Sequence, residues 1–273
     1  MGEREDGSKE GTDLQDAVAA WKRDCVEFRS DRPCAPGKLR GKTCGSCDEY
    51  DVGAASLCIV KLAAVGDVLR TTAFLPALRR RYPDHRILWL TDPSAAPLLE
   101  ENPLIDALYT TEQGFPDDLD RWAQDLVLCP DADPETACLA QRIRLKQGGR
   151  RIGFSLSDRG LVEPLSDAAR RWYLMGVSDA SKRVNEETYQ DLVGSLLELE
   201  VPHRDRPVLE LTQAEVGRAE GWLQTTLAAA VGGRARERLL GMNTGAGHRW
   251  PQKQWTLEHQ IELIAALHDE GYG

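Results

Sequence analysis

Residues 57–72 read LCIVKLAAVGDVLRTT, and this stretch decides the fold. The run Leu57 to Leu62 is short and apolar, as expected of a strand buried on both faces of a parallel sheet. From Asp67 to Tyr82 the positions Val68, Leu69, Thr72, Leu75, Leu78 and Arg79 recur at helical spacing, and Pro83 ends the pattern. Lys61 to Thr72 is therefore a strand-to-helix turn. In an open parallel sheet such turns lie at the carboxyl ends of the strands, where ligands bind.

Short apolar runs and helical stretches go on alternating after this turn, which is the pattern of parallel βαβ units. Ile87 to Leu90, Ile105 to Tyr109, Leu126 to Cys129 and Ile152 to Phe154 read as strands. Pro134 to Lys146 and Asn185 to Leu199 read as helices, the first with proline in its first turn. Val208 to Leu211 predicts a strand, followed by Thr212 as the cap of a helix over 214–230. A second domain begins with a strand at Leu239 to Asn243, a Gly- and Trp-rich loop at Thr244 to Gln254, and a helix from Thr256 to Asp269. The expected division is a polar tail over 1–20, a cysteine-rich module over 21–50, a Rossmann-like domain over 55–205, and a linker with an incomplete second domain over 206–273.

The chain has 273 residues, 41% hydrophobic and 29% charged, enough for one good core and part of another. No apolar run approaches the roughly 20 residues that span a bilayer, and the start, MGEREDGSKEGTDLQD, is too acidic for a secretory signal. A cytoplasmic location is the expectation. The net charge of -10 argues against a nucleic-acid partner, which needs clustered cations to meet phosphates. Basic residues do gather at Arg79, Arg80 and Arg81, and again at Arg142, Arg144, Lys146, Arg150 and Arg151. Solvated helix ends account for them, with a patch facing an anionic acceptor as the alternative.

Two segments carry candidate chemistry. In KLAAVGDVLRTT, residues 61–72, neither dinucleotide nor P-loop glycine spacing is present. Gly66 permits a tight turn, and Asp67 at the helix mouth is either an ordinary N-cap or a base. Thr71, Thr72, Lys61 and Arg70 stand near the same turn, a set suited to an acceptor hydroxyl and its base. In GMNTGAGHRWPQKQWTLEHQ, residues 241–260, Thr244, Gly245 and Gly247 offer a hydroxyl and backbone N–H groups to an anion, and Lys253 offers a point charge to a diphosphate. A plain surface loop with Trp250 and Trp255 packed between layers is the alternative.

Together the two segments resemble glycosyltransferase family nine, the ADP-heptose:lipopolysaccharide heptosyltransferases and their relatives. The K/R-L-x-x-x-G-D-x-x-x-T-T element matches Lys61 to Thr72, and N-x-G-A-G-x-x-W-x-x-K-x-W matches Asn243 to Trp255. The resemblance covers roughly residues 57–273 and implies a GT-B architecture of two Rossmann-like α/β domains. It implies an inverting, metal-independent transfer of a heptose-like sugar from a nucleoside-diphosphate sugar, ADP-heptose, to a glycolipid or oligosaccharide acceptor of the cell envelope. The setting would be the inner face of the membrane, with peripheral contact to it. Asp67 matches the family's general base and Lys253 its diphosphate-contacting lysine. Arg70 stands where these transferases often carry histidine, so the resemblance does not carry over the identity of the acceptor. Later donor-site elements of the family, an acidic residue and a D-x-G-x-x-H-like loop, are expected beyond Gly273, so the donor half is expected to be incomplete. A non-catalytic sugar- or nucleotide-binding remnant, or one half of a split transferase, is the alternative.

Cys25, Cys34, Cys44 and Cys47 form C-x8-C-x9-C-x2-C in a stretch poor in core residues. A structural zinc or an iron–sulfur cluster would order it, and two disulfides or free thiols are the alternatives. Cys58, Cys129 and Cys138 lie in apolar runs and read as buried packing residues.

Overall fold

The computed structural model describes residues 20–112, 114–200, 205–227, 240–245 and 253–272. The chain divides into two compact units, residues 1–210 and 211–273. The expected tail over 1–20 lies outside the described residues except for Ala20.

The first unit begins with the cysteine-rich module, whose helix is α1 (Ala35–Arg40). Among residues 20–54 just Asp24, Cys25 and Pro36 are buried. Asp24 fastens the module by accepting from the Tyr50 hydroxyl at 3.0 Å and from the Gln147 N–H at 3.2 Å.

The apolar run then forms β1 (Ser56–Val60), with all five residues buried. One continuous helix is expected after it, but the structure has α2 (Val65–Thr71), a 3-10 turn over Thr72–Phe74, and α3 (Leu75–Arg81). The break has a covalent cause. Pro76 has no N–H to give the Thr72 carbonyl, and its ring crowds that oxygen.

Next come β2 (Arg86–Thr91), β3 (Ala107–Thr110), α4 (Asp117–Arg121), β4 (Gln124–Cys129) and α5 (Pro134–Arg142). They lead to β5 (Leu145–Leu156), β6 (Val162–Pro164), α6 (Asp167–Val177), α7 (Asp179–Val184) and α8 (Tyr189–Leu196). The sheet order is β3-β2-β1-β4-β5-β6. Its first five strands run parallel and β6 returns antiparallel. The α/β class therefore stands, with the Rossmann-like order over the parallel strands. The core joins the sheet's side chains to the helix faces packed on them, with Trp89 and Phe154 of the sheet and Phe74 of the 3-10 turn among the largest fully buried.

Several boundaries differ from expectation: β3 spans Ala107–Thr110 rather than Ile105 to Tyr109, and β5 begins at Leu145 rather than Ile152. Helix α5 stops at Arg142 rather than Lys146, because the Arg151 guanidinium donates to the carbonyls of Ala140, Gln141 and Ile143 and closes the helix end. Helix α8 starts at Tyr189 rather than Asn185, where Thr188 and Asp191 form a capping box. Val208 to Leu211 is not a strand. Side chains hold Val208 instead: its N–H donates to Thr72 Oγ at 2.8 Å and its carbonyl accepts from Asn102 Nδ2 at 3.2 Å.

The second unit contains α9 (Gln213–Trp222), with a π turn over Leu223–Leu227, and α10 (Leu257–Asp269), capped by Thr212 and Thr256 as expected. The described part of the expected strand, residues 240–243, has no strand conformation, and Leu239 lies outside the described residues. Among the described residues no helix is long and apolar enough to cross a membrane.

Glycine is required at residue 153. It has φ +98°, and a Cβ there would stand 1.9 Å from the Cys129 carbonyl oxygen. Gly153→Ala is therefore expected to cost at least about 3 kcal/mol, combining a left-handed backbone with a backbone clash. Urea unfolding measures it, and a loss below about 1 kcal/mol would contradict the close β4–β5 approach.

Candidate functional site

Strand order reverses at β1, whose neighbours β2 and β4 lead away in opposite directions, so the loops after β1 and β4 diverge there. Asp67 stands just beyond the first of these loops. Its helix is capped from Ala64, which makes no side-chain cap bond, so Asp67 is the third helical residue and not an N-cap. The carboxylate is about half exposed and pairs with the Arg70 guanidinium at 3.2 Å. Ala63 to Gly66 are exposed beside it.

Lys61 has a different place from the one expected of a ligand-binding cation. Its side chain is 3% exposed, and its ammonium donates to both Asp131 oxygens at 2.8 Å and to the Ala63 carbonyl. All three donors are engaged, so the pair joins the loop after β1 to the loop after β4. Burial raises the Asp131 carboxyl above its ordinary value against the pull of Lys61, and the charge of Asp67 adds to the rise.

Thr71 and Thr72 are likewise buried. The Thr71 hydroxyl donates to the Asp67 carbonyl at 2.7 Å and meets the Tyr189 hydroxyl at 3.0 Å. Thr72 donates to the Leu69 carbonyl and accepts from Val208. These hydroxyls brace the helix rather than face a ligand. Gly66 is helical, with open space where a Cβ would stand, so no tight turn demands glycine there.

Asp67 and Arg70 open onto a hollow of about 380 Å³, shared with Trp172, Met175, Lys182 and Tyr189 among others. The Arg70 guanidinium lies 3.7 Å from the Tyr189 ring centre, and Trp172 meets that ring edge-on at 5.5 Å. The Trp172 indole N–H donates to the Pro130 carbonyl at 3.1 Å, fixing the wall to the loop after β4. Burial pushes the Tyr189 hydroxyl up to about 12, so it stays a neutral phenol. A hollow of about 350 Å³ lined by Val26, Ser56 and Arg86 lies at the opposite, amino end of the strands. Sequence reading missed Trp172, Tyr189 and Asp131. Asp131 carried a usable signal, an acid two residues after the second strand of the switch point.

The clustered basic residues are engaged structurally. Arg79 pairs with Asp106, Arg80 with Asp205, Arg142 with Asp120, Lys146 with Asp125 and Arg150 with Glu198. Arg81 donates to the Glu198 carbonyl, and Arg144 to the Arg23 and Asp120 carbonyls.

In the second unit Lys253 and Thr244 are exposed, and Gln254 Nε2 donates to the Thr244 carbonyl at 3.1 Å, tying their two segments together. The Gly245 N–H donates to Asn243 Oδ1 at 3.0 Å, so it is not free to meet an anion. Gly247 and Trp250 lie outside the described residues. Trp255 stacks on His259, with ring centres 5.9 Å apart.

None of the seven cysteines is in a disulfide; Cys58 and Cys129 are buried as expected, and Cys138 is exposed, contrary to expectation. Cys138 is on α5, on a side of the helix turned away from the sheet. Among the described residues no three His, Cys, Asp or Glu side chains are grouped closely enough to hold a metal ion.

Removing Lys61 leaves a buried carboxylate without its partner. Lys61→Met is expected to destabilise the protein by about 3–5 kcal/mol in urea unfolding, with part of the loss regained in Lys61→Met/Asp131→Leu. A single-variant loss under about 1 kcal/mol would mean that the pair does not hold the loops.

No protein-family model matches this chain, and no curated protein matches it. Among solved structures, the glycosyl transferase family 9 protein from Veillonella parvula DSM 2008 superposes with a TM-score of 0.58 at 20% identity, covering 82% of this chain and 62% of that one. E. coli ADP-heptose lps heptosyltransferase II gives 0.47 at 19%, covering 80% and 62%. E. coli heptosyltransferase WaaC with ADP gives 0.43 at 18%, covering 80% and 64%. The chain thus spans less than two thirds of the length of these structures. Over the matched residues it has the fold of the Veillonella family 9 glycosyltransferase.

Proposed function

We propose that this chain carries the acceptor side of an inverting, metal-independent glycosyltransferase. It would move a heptose-like sugar from a nucleoside-diphosphate sugar, ADP-heptose, to an envelope glycan. The reading is supported by the family-nine motifs at 61–72 and 243–255, and by the fold shared with a family 9 glycosyltransferase. The observation that carries it is the position of Asp67. It is a half-exposed carboxylate with no capping role, beside the switch point, on a hollow with aromatic and cationic walls.

Asp67 would take the proton of the attacking acceptor hydroxyl as that oxygen bonds to the anomeric carbon and the nucleoside diphosphate leaves. Arg70 pairs with the carboxylate and orients it. Trp172 and Tyr189 offer apolar ring surface to a sugar face. Lys253, with Thr244, would meet the charge that develops on the departing diphosphate.

Asp67→Asn keeps the shape of the side chain and removes the base. Turnover, followed as release of nucleoside diphosphate, is expected to fall about 10²–10⁴-fold while donor binding by calorimetry is retained. Unchanged turnover would overturn the assignment of Asp67, and donor binding without turnover in the unaltered protein would favour a binding module.

A further inference from the structure

The module over residues 20–54 has almost no hydrophobic core, yet it folds back on itself around a small cavity, beside a wider hollow of about 720 Å³ that Cys34 and Cys44 also line. Cys25, Cys34, Cys44 and Cys47 all line that cavity, although 22 positions separate the first from the last. Cys44 and Cys47 flank a single 3-10 turn over Cys44–Ser46, which brings their side chains to one side. Cys34 caps α1, and its sulfur accepts the Gly37 N–H at 3.4 Å. Cys25 is buried, and the other three are partly exposed.

We propose that these four cysteines bind a single zinc-class divalent cation, and that this ion is what orders the module. The cavity measures about 30 Å³, where roughly 10–15 Å³ holds one water-sized sphere. That space suits one ion.

The sulfurs are not yet closed on a common centre. Binding would draw them to the roughly 2.3 Å zinc–sulfur distance of a tetrahedral site. Each thiol gives up its proton as its sulfur bonds the metal, so four protons are released and the site carries a net charge of -2. Lys22 and Lys42 stand on the cavity wall to offset that charge. Lys22 lies over the Tyr50 ring, and Lys42 also pairs with Asp48 and Glu49. The two carboxylates on the wall have partners of their own, Glu27 with Arg121 and Glu49 with Arg40. Exposed Cys138, outside the module, is the natural control. This inference does not rest on the transferase reading.

The test is metal content and cobalt spectroscopy on the full chain, purified under reducing conditions. One zinc per chain is expected. Replacing it with cobalt should give the strong thiolate-to-cobalt absorption and visible bands of a tetrahedral sulfur site. Cys44→Ser should weaken zinc binding at least about tenfold, the loss expected even of an outer-shell change, while Cys138→Ser leaves it unaltered. Absence of the thiolate bands in the unaltered chain would overturn the proposal whether or not the variants fold. Iron with acid-labile sulfide at the same cysteines would overturn the single-ion assignment, and equal losses in the two variants would overturn the site.

Discussion

The buried pair between Lys61 and Asp131 is the constraint on which the candidate site depends. The two strands that carry these residues into their loops, β1 and β4, are neighbours in the sheet, and the chain diverges beyond them. An ammonium in so little solvent is tolerable only when every donor is satisfied, and here two carboxylate oxygens and one carbonyl meet that demand. The loop after β1 is thereby fixed, and with it the start of α2. Asp67 can face solvent because the residues around it do the structural work.

The same division of labour runs through the rest of the first unit. Polar groups that look like ligands in the sequence act as braces: Thr71 to Tyr189, Thr72 to Val208, Arg151 to the end of α5. The groups left facing the hollow are few, and they differ in kind. Asp67 is an acid, Arg70 a cation over the Tyr189 ring, and Trp172 an aromatic wall tied to Pro130. Close packing of β5 on β4, through Gly153 against the Cys129 carbonyl, positions the β4 loop from the other side.

The sheet was legible because strands buried on both faces read as unbroken apolar runs, and Leu57 to Val60 is one of them. Caps at Thr212 and Thr256 were legible because their chemistry is local. The broken helix was written in Pro76, but its apolar spacing continues across the break and conceals it. Burial was not legible: nothing local to Lys61 says that Asp131, 70 positions away, will meet it. Trp172 and Tyr189 were missed for the same reason, since more than 100 positions separate them from Asp67.

The central claim is that Asp67 faces the acceptor hydroxyl. A crystal structure of the protein with a bound acceptor oligosaccharide tests it most directly. The account predicts a sugar in the hollow against Trp172 and Tyr189, with one hydroxyl within about 3.2 Å of an Asp67 carboxylate oxygen. An acceptor bound elsewhere, with no hydroxyl in reach of Asp67, would contradict it.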